Sequence, residues 1–283
     1  MGNGAGATGV LLLLLSCFPD SIFCSPSAAD RSRRSTHAPR VSLVDSLAER
    51  LNAVQERIQA ACARSGRRPE DVTLLAVSKN HPAETVAAAV ELGLTVFGES
   101  KVQEARAKIP LCPARARWHL IGHLQSNKAR DAVALFETIE SIDSLSLAQE
   151  IDRHAAKQAR NPKVYLEVNV AGESSKFGWN PDRLQAELAE VNRLPRLEIH
   201  GLMTIAPYST DPEKARPVFR RLRELRDRCS EILGAPLPVL SMGMSGDLEV
   251  AIEEGSTIVR VGTALFGPRP RLTRPASSDS DPE

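Results

Sequence analysis

"KVYLEVNV", residues 163–170, alternates along its whole length. Val164, Leu166, Val168 and Val170 fall on one side of an extended chain, and Tyr165, Glu167 and Asn169 on the other. In a closed barrel the apolar side meets the surrounding helices and the mixed side points into the interior. The stretch therefore favours a barrel; an open doubly wound sheet is the alternative.

Working outward, further short apolar runs occur at 73–77, 94–97, 118–121, 138–142, 197–203, 238–241 and 257–261, so that with 164–170 there are eight. Helical stretches such as "PAETVAAAVELG", "LSLAQEIDRHAAKQA" and "PEKARPVFRRLRELRDRCSEILG" lie between them. Leu43, Leu47, Leu51, Val54 and Ile58 recur at helical spacing, so the domain opens with an amphipathic helix that stops near Gly66. Strands alternating with helices mean a parallel sheet, and eight of them suit closure. The expected fold is α/β, a single TIM (β/α)8 barrel over residues 41–267. At 283 residues the chain has room for it, since such barrels take about 250.

Chemistry in these barrels gathers where the strands end. In "TLLAVSKN", residues 73–80, the buried run delivers its first charge, Lys79, at its tip. The second run ends in Glu99, Ser100 and Gln103, the third in His123, Gln125 and Asn127, the fifth in Asn169, and the sixth in Met203 and Thr204. The last two runs lead into "SMGMSGD" (241–247) and "GTALFG" (262–267). Ser241, Ser245, Gly246, Gly262 and Thr263 there suit a phosphate held at helix N-termini. Turn glycines and N-cap serines would explain either segment alone, but the pair falls where these barrels bind phosphate. A lysine opposite a phosphate site is the arrangement for an aldehyde cofactor held as a Schiff base, and pyridoxal 5'-phosphate fits both ends. Burial at the barrel mouth is expected to lower the pKa of Lys79 so that it can condense.

The motifs "LLAVSKNHP", "VFGESKVQEA", "WHLIGHLQSNK", "EVNVAGESSKFG", "GLMTIAP" and "LSMGMSGDLEVAIEEGSTIVRVGTALFG", in this order, resemble the pyridoxal phosphate homeostasis protein family over about residues 43–267. That resemblance implies the alanine racemase N-terminal-type barrel, the fold type III pyridoxal phosphate barrel. It implies Lys79 as the covalent lysine, with Ser241, Ser245, Gly246, Gly262 and Thr263 around the phosphate and Met203 and Asn169 at the cofactor. Arg260 stands where racemases carry the arginine that faces the pyridine nitrogen; its bland reading is a buried arginine paired to a carboxylate such as Glu167. "GES" replaces the family's "GEN", so the role of that Asn does not carry over to Ser100. His123 falls at a variable position.

Racemisation needs acid and base groups on opposite faces of the adduct. Lys79 can be one. Tyr165 lies roughly 13 Å below Asn169 on the same strand at about 3.3 Å per residue, too deep to be the other. Tyr208, after the sixth strand, is the remaining candidate. The expected function is a cofactor-binding protein in intracellular vitamin B6 and amino acid homeostasis, without established catalysis. The alternative is a pyridoxal phosphate-dependent amino acid racemase using Lys79 and Tyr208. A class I type aldolase would also use a barrel lysine, but would be colourless and trapped only with substrate present.

Lys and Arg number 36 against 35 Asp and Glu, so no basic field exists to draw nucleic acid or membrane. The expected partners are pyridoxal phosphate and, as candidate recipients, apoenzymes that use it; the expected state is a monomer. His119 and His123 straddle a strand end rather than share a helix face, and no metal is expected. Lys176 lacks the order of a phosphate loop; it is either a solvated loop lysine or a contact for a substrate carboxylate. Five cysteines without a CxxC pair suit a reducing compartment, and Cys62 and Cys229 fall in helical patterns as small apolar residues. The expected location is cytoplasmic. Residues 1–40 hold the apolar "GVLLLLLSCF" with no Lys or Arg before it, and the basic "RSRRSTHAPR". Three readings stay open for this segment: an atypical signal or transit peptide, a disordered extension, or a misplaced start. Residues 268–283 read as a disordered tail.

Overall fold

The computed structural model describes residues 43–268. The expectations for residues 1–40 and for the tail beyond Pro268 lie outside the described residues.

The chain alternates strand and helix throughout: α1 (Leu43–Arg64), β1 (Thr73–Val77), α2 (Ala83–Glu91), β2 (Val96–Glu99), α3 (Val102–Lys108), β3 (Arg117–Leu120), α4 (Ala129–Leu135), β4 (Thr138–Ile142), α5 (Leu145–Lys157), β5 (Lys163–Glu167), α6 (Pro181–Val191), β6 (Glu198–Met203), α7 (Arg216–Leu233), β7 (Val239–Met244), α8 (Leu248–Glu253), β8 (Ile258–Val261) and α9 (Thr263–Phe266). All eight strands pair in parallel and in order. β1 also pairs with β8, Thr73 opposite Ile258 and Ala76 opposite Val261, which closes the barrel. The barrel expectation holds, and the open sheet is excluded.

The alternation seen in residues 163–170 sorts the side chains of the whole sheet. Phe97, Leu120, Ile139, Val164, Leu166, Leu202, Leu240 and Val259 join the apolar layer under the helices. Leu75, Val77, Val96, Tyr165, Met203 and Ile258 form a separate cluster inside the barrel. From the helix side Leu47, Leu51, Val54 and Ile58 of α1, Leu184 and Leu188 of α6, and Phe219, Leu222 and Leu225 of α7 complete the outer layer. Each fully buried side chain of this size contributes roughly 1.5–3 kcal/mol. Cys62 and Cys229 are buried among them, as their helical spacing implied.

α1 ends where Gly66 takes φ +66°, a left-handed conformation that costs a side-chain-bearing residue energy. Arg67 N–H then donates to Cys62 O at 2.9 Å and turns the chain toward β1. Three strands depart from the sequence pattern: β2 is shifted to Val96–Glu99, β7 runs on to Met244, and β5 ends at Glu167 instead of running to Val170. For β5, Asn169 is the reason. Its Oδ1 accepts from the N–H groups of Gly172 and Glu173 (3.0 and 3.2 Å), and its Nδ2 donates to Glu173 O and Lys176 O (2.7 and 3.2 Å). An asparagine that satisfies a loop this way competes with continued strand pairing. Among the described residues no helix is long and apolar enough to cross a membrane.

Candidate functional site

A cavity of about 420 Å³ opens at the carboxyl end of the barrel, between the tips of β1, β7 and β8 and the loop after β6. Lys79 continues the inward parity of Leu75 and Val77 and lines it, half-buried. Ser245, Gly246, Gly262, Thr263 and Arg260 form the wall from β7 and β8, Ser100 lies on the β2 side, and Tyr208 stands at the rim. These candidates come from segments as much as 184 positions apart in sequence (79 to 263), and the fold brings them to one space.

The two loops facing Lys79 are held from behind. Arg57 of α1 donates to both carboxylate oxygens of Glu249 (2.6 and 2.8 Å) and to Ser245 O (2.9 Å), so the serine-bearing loop is fixed by a fork of hydrogen bonds. Arg50 donates to Leu265 O at 2.8 Å and anchors α9. Between the loops Ala264 N–H donates to Ser245 Oγ at 3.4 Å. Asp247 is the acidic residue here; its Oδ1 accepts from Met244 N–H at 2.6 Å, and burial pushes its carboxyl above the usual range. Gly246 has no atom within 4 Å of where a Cβ would stand, so its backbone borders open space. The first N–H groups of α8 and α9 have no partner within their own helices. The donor set, two glycines, two hydroxyls and a nearby guanidinium, fits an oxyanion such as a phosphate.

Arg260 is almost wholly buried and reaches the cavity from the barrel wall. It donates to Ser241 Oγ (2.7 Å) and Thr204 O (2.8 Å). Ser241 Oγ in turn donates to Glu140 Oε2 (2.6 Å), and Glu140 Oε1 lies 2.6 Å from Nδ1 of His119. Burial lowers the Arg260 pKa, opposed by the nearby carboxylates of Glu140, Glu167 and Asp247. The expected partner Glu167 thus acts on Arg260 at a distance rather than by direct pairing. Glu167 itself is pushed up to about 7, first by burial and then by Asp143, with Arg260 working the other way.

Three residues assigned to the cofactor fall off the cavity wall. Ser241 lies one layer down, its hydroxyl committed to Arg260 and Glu140. Met203 packs with Leu75 and Tyr165 inside the barrel. Asn169 borders a separate cavity of about 150 Å³ with Glu167, Lys176 and Phe177. Lys176 belongs to that second cavity, its Nζ 3.2 Å from Glu173 Oε2. Tyr165 is buried, and burial raises its pKa far above the ordinary value. The two histidines part company: His119 pairs with Glu140, while His123 lies 3.2 Å from Asp143 and stacks on Phe177 at 3.5 Å between ring centres. Among the described residues no group of His, Cys, Asp or Glu could hold a metal ion. Sequence reasoning missed Glu140, though "TIESI" carried a signal: a charge at inward parity inside an apolar run. It also missed Arg57, whose partners are 188 and 192 positions away.

The Alanine racemase, N-terminal domain family matches residues 50–270. A pyridoxal phosphate homeostasis protein of Aquifex aeolicus is 47% identical over 222 residues, 78% of this chain and 97% of that protein. One from Escherichia coli is 40% identical over 234 residues, 80% of this chain and 98% of that protein. The PipY protein of Synechococcus elongatus, solved with PLP bound, superimposes with a TM-score of 0.69 at 40% identity, over 78% of this chain and all of that one. Alanine racemase of Clostridium difficile shares the fold, with a TM-score of 0.67 at 17% identity over 57% of its length. The barrel, the order of its motifs and these likenesses agree: the chain belongs to the pyridoxal phosphate homeostasis protein family, built on the alanine racemase N-terminal domain.

Proposed function

We propose that this protein binds pyridoxal 5'-phosphate through Lys79 and serves to hold and hand over the cofactor, in the balance of vitamin B6 and amino acids, rather than to turn over a substrate. The observation that carries the reading is one cavity, with Lys79 on one wall and Ser245, Gly246, Gly262 and Thr263 on the other. Lys79 would hold the cofactor covalently. The two loops braced by Arg57 and Arg50 would take the phosphate, and Arg260 would lie toward the ring. When bound, the cofactor supplies an aldehyde for primary amines and a ring that accepts electron density. A permanently charged Arg260 beside the ring nitrogen would keep that nitrogen unprotonated and weaken the electron sink, which suits a carrier.

The named function of the relatives, 47% and 40% identical, supports the same reading. The free cysteines Cys62, Cys112 and Cys229 suit a reducing, cytoplasmic location. A racemase is the second reading, favoured by one observation, Tyr208 at the cavity rim. Tyr208 is 92% exposed, however, and among the described residues no hydrogen bond fixes its hydroxyl as an acid–base group needs.

The test is the visible spectrum of the purified protein before and after borohydride, followed by peptide mapping, on wild type and Lys79→Ala. The proposal expects a yellow protein that bleaches and carries a pyridoxyl mass on Lys79, and a folded, colourless variant. A protein that gains no such mass after soaking in pyridoxal phosphate overturns it. Amino acid turnover that disappears in Tyr208→Phe would establish the second reading instead.

A further inference from the structure

Behind the cavity wall, between β2 and α3, lies an ion cluster that the cofactor reading does not use. Lys108, the last residue of α3, is buried, and its ammonium donates to three acceptors: Glu99 Oε1 (2.8 Å), Glu104 Oε1 (2.7 Å) and Ser78 O (2.9 Å). Ser78 Oγ donates to the same Glu99 oxygen at 2.6 Å. Asn80 N–H donates to Glu104 Oε1 at 2.6 Å. The peptide groups on both sides of Lys79 are therefore held by side chains of one cluster, the carbonyl before it by Lys108 and the N–H after it by Glu104.

The backbone between these two anchors is a tight turn. His81 N–H donates to Ser78 O at 3.0 Å, and Asn80 takes φ +63°. Asparagine tolerates that left-handed region better than other side-chain-bearing residues, and the bonds on either side hold it there. A buried lysine whose three donors are all used, two of them on carboxylates, makes charge-assisted bonds, about twice as strong as neutral ones.

We propose that Lys108, with Glu99 and Glu104, is a positioning clamp that locks the Ser78–His81 turn and so fixes the direction in which Lys79 enters the cavity. Parity separates the two lysines: Ser78 and Glu99 face outward toward α3, whereas Lys79 follows Leu75 and Val77 inward. The clamp works from outside the barrel wall and touches no ligand. Its importance for cofactor capture rests on the reading above; its hold on the turn does not.

Two measurements keep these apart. The first is amide hydrogen exchange of the 78–82 segment in cofactor-free protein. The second is the rate at which added pyridoxal 5'-phosphate becomes trappable by borohydride on Lys79. Glu104→Ala, at a partly exposed position, removes the acceptor of Asn80 N–H and is expected to speed exchange by about tenfold, the value of one hydrogen bond to a charged group. Trapping should slow with it, and Glu104→Gln, which keeps an oxygen in place, should restore both. Lys108→Met leaves two carboxylates facing each other unpaired; the double variant Lys108→Met with Glu99→Gln removes that repulsion, should fold, and should show the same fast exchange. Unchanged exchange in Glu104→Ala and in the folded double variant would overturn the clamp. Faster exchange with unchanged trapping would overturn its positioning role. Should wild type itself take up no cofactor, the reading of Lys79 fails while the exchange result still decides whether the clamp exists.

Discussion

On the outside of the strands Phe97, Leu120, Ile139, Leu166 and Val259 join one apolar layer with Leu184, Leu188, Phe219 and Leu222 of the helices, interrupted at α3 by the Lys108 cluster. On the inside of the same strands His119, Glu140, Ser241 and Arg260 join by hydrogen bonds of 2.6 to 2.7 Å into one chain that ends at the cavity. The outer layer needs shape and volume; the inner layer needs each donor matched to an acceptor. Stability therefore comes mainly from the apolar layer outside the barrel wall, and the placing of Arg260 from the polar chain within it. A change of volume is shared among many contacts outside, whereas one deleted atom inside leaves a buried group without a partner.

The largest expected effect tests whether the two layers are separable. Phe219→Ala empties a fully buried position on α7 and should cost about 3–5 kcal/mol in urea unfolding, yet leave cofactor trapping at Lys79 unchanged below the transition. Altered trapping in the still-folded variant would show that the layers are coupled.

Glu167 sharpens the comparison by pH. Its pKa in the folded protein is about 7 against an ordinary 4.5, so between these values the folded state holds a proton that the unfolded state releases. Stability must then fall as pH rises through that window, by up to roughly 3 kcal/mol at 1.36 kcal/mol per unit. Glu167→Gln should flatten this part of the stability–pH curve, as measured by urea midpoints at about pH 4.5, about pH 6 and about pH 7. An unchanged slope would mean that burial, reinforced by Asp143, does not raise the Glu167 carboxyl as described.

The smallest effect falls on Ser241. Ser241→Ala removes the hydroxyl between Arg260 and Glu140 and should cost about 1–3 kcal/mol, the penalty for buried partners left unmatched. Because Arg260 then lacks one of its two anchors, the absorption band of bound cofactor should shift as well. Loss of stability with an unmoved spectrum would make Ser241 part of the core alone.

These layers differed in how far they could be read from the sequence. Apolar alternation in residues 163–170 predicts which side of β5 faces out, because that depends only on neighbours two positions apart. Strand ends follow the same local rule, which is why Lys79, Ser245, Gly246, Gly262 and Thr263 could be assigned to one face and do line one cavity. Ser241, assigned with them, does not line that cavity, since depth depends on register across strands rather than on order along one. The Glu140–Ser241 bond joins residues 101 positions apart, and nothing local announces it. Glu104 and Lys108 stand four apart on α3, a spacing that suggests a surface ion pair; only the packing of α3 against β2 makes it a buried clamp.

Closure of the sheet by β1 on β8 has a consequence for company. An open sheet offers free backbone groups along its outermost strands, and many proteins recruit an extended peptide by letting it dock there as one more strand. Among the described residues each of the eight strands has a neighbour on both sides, so the barrel offers no such berth. A protein partner of this barrel would therefore have to meet it through side chains and loops, by surface fit rather than by shared backbone.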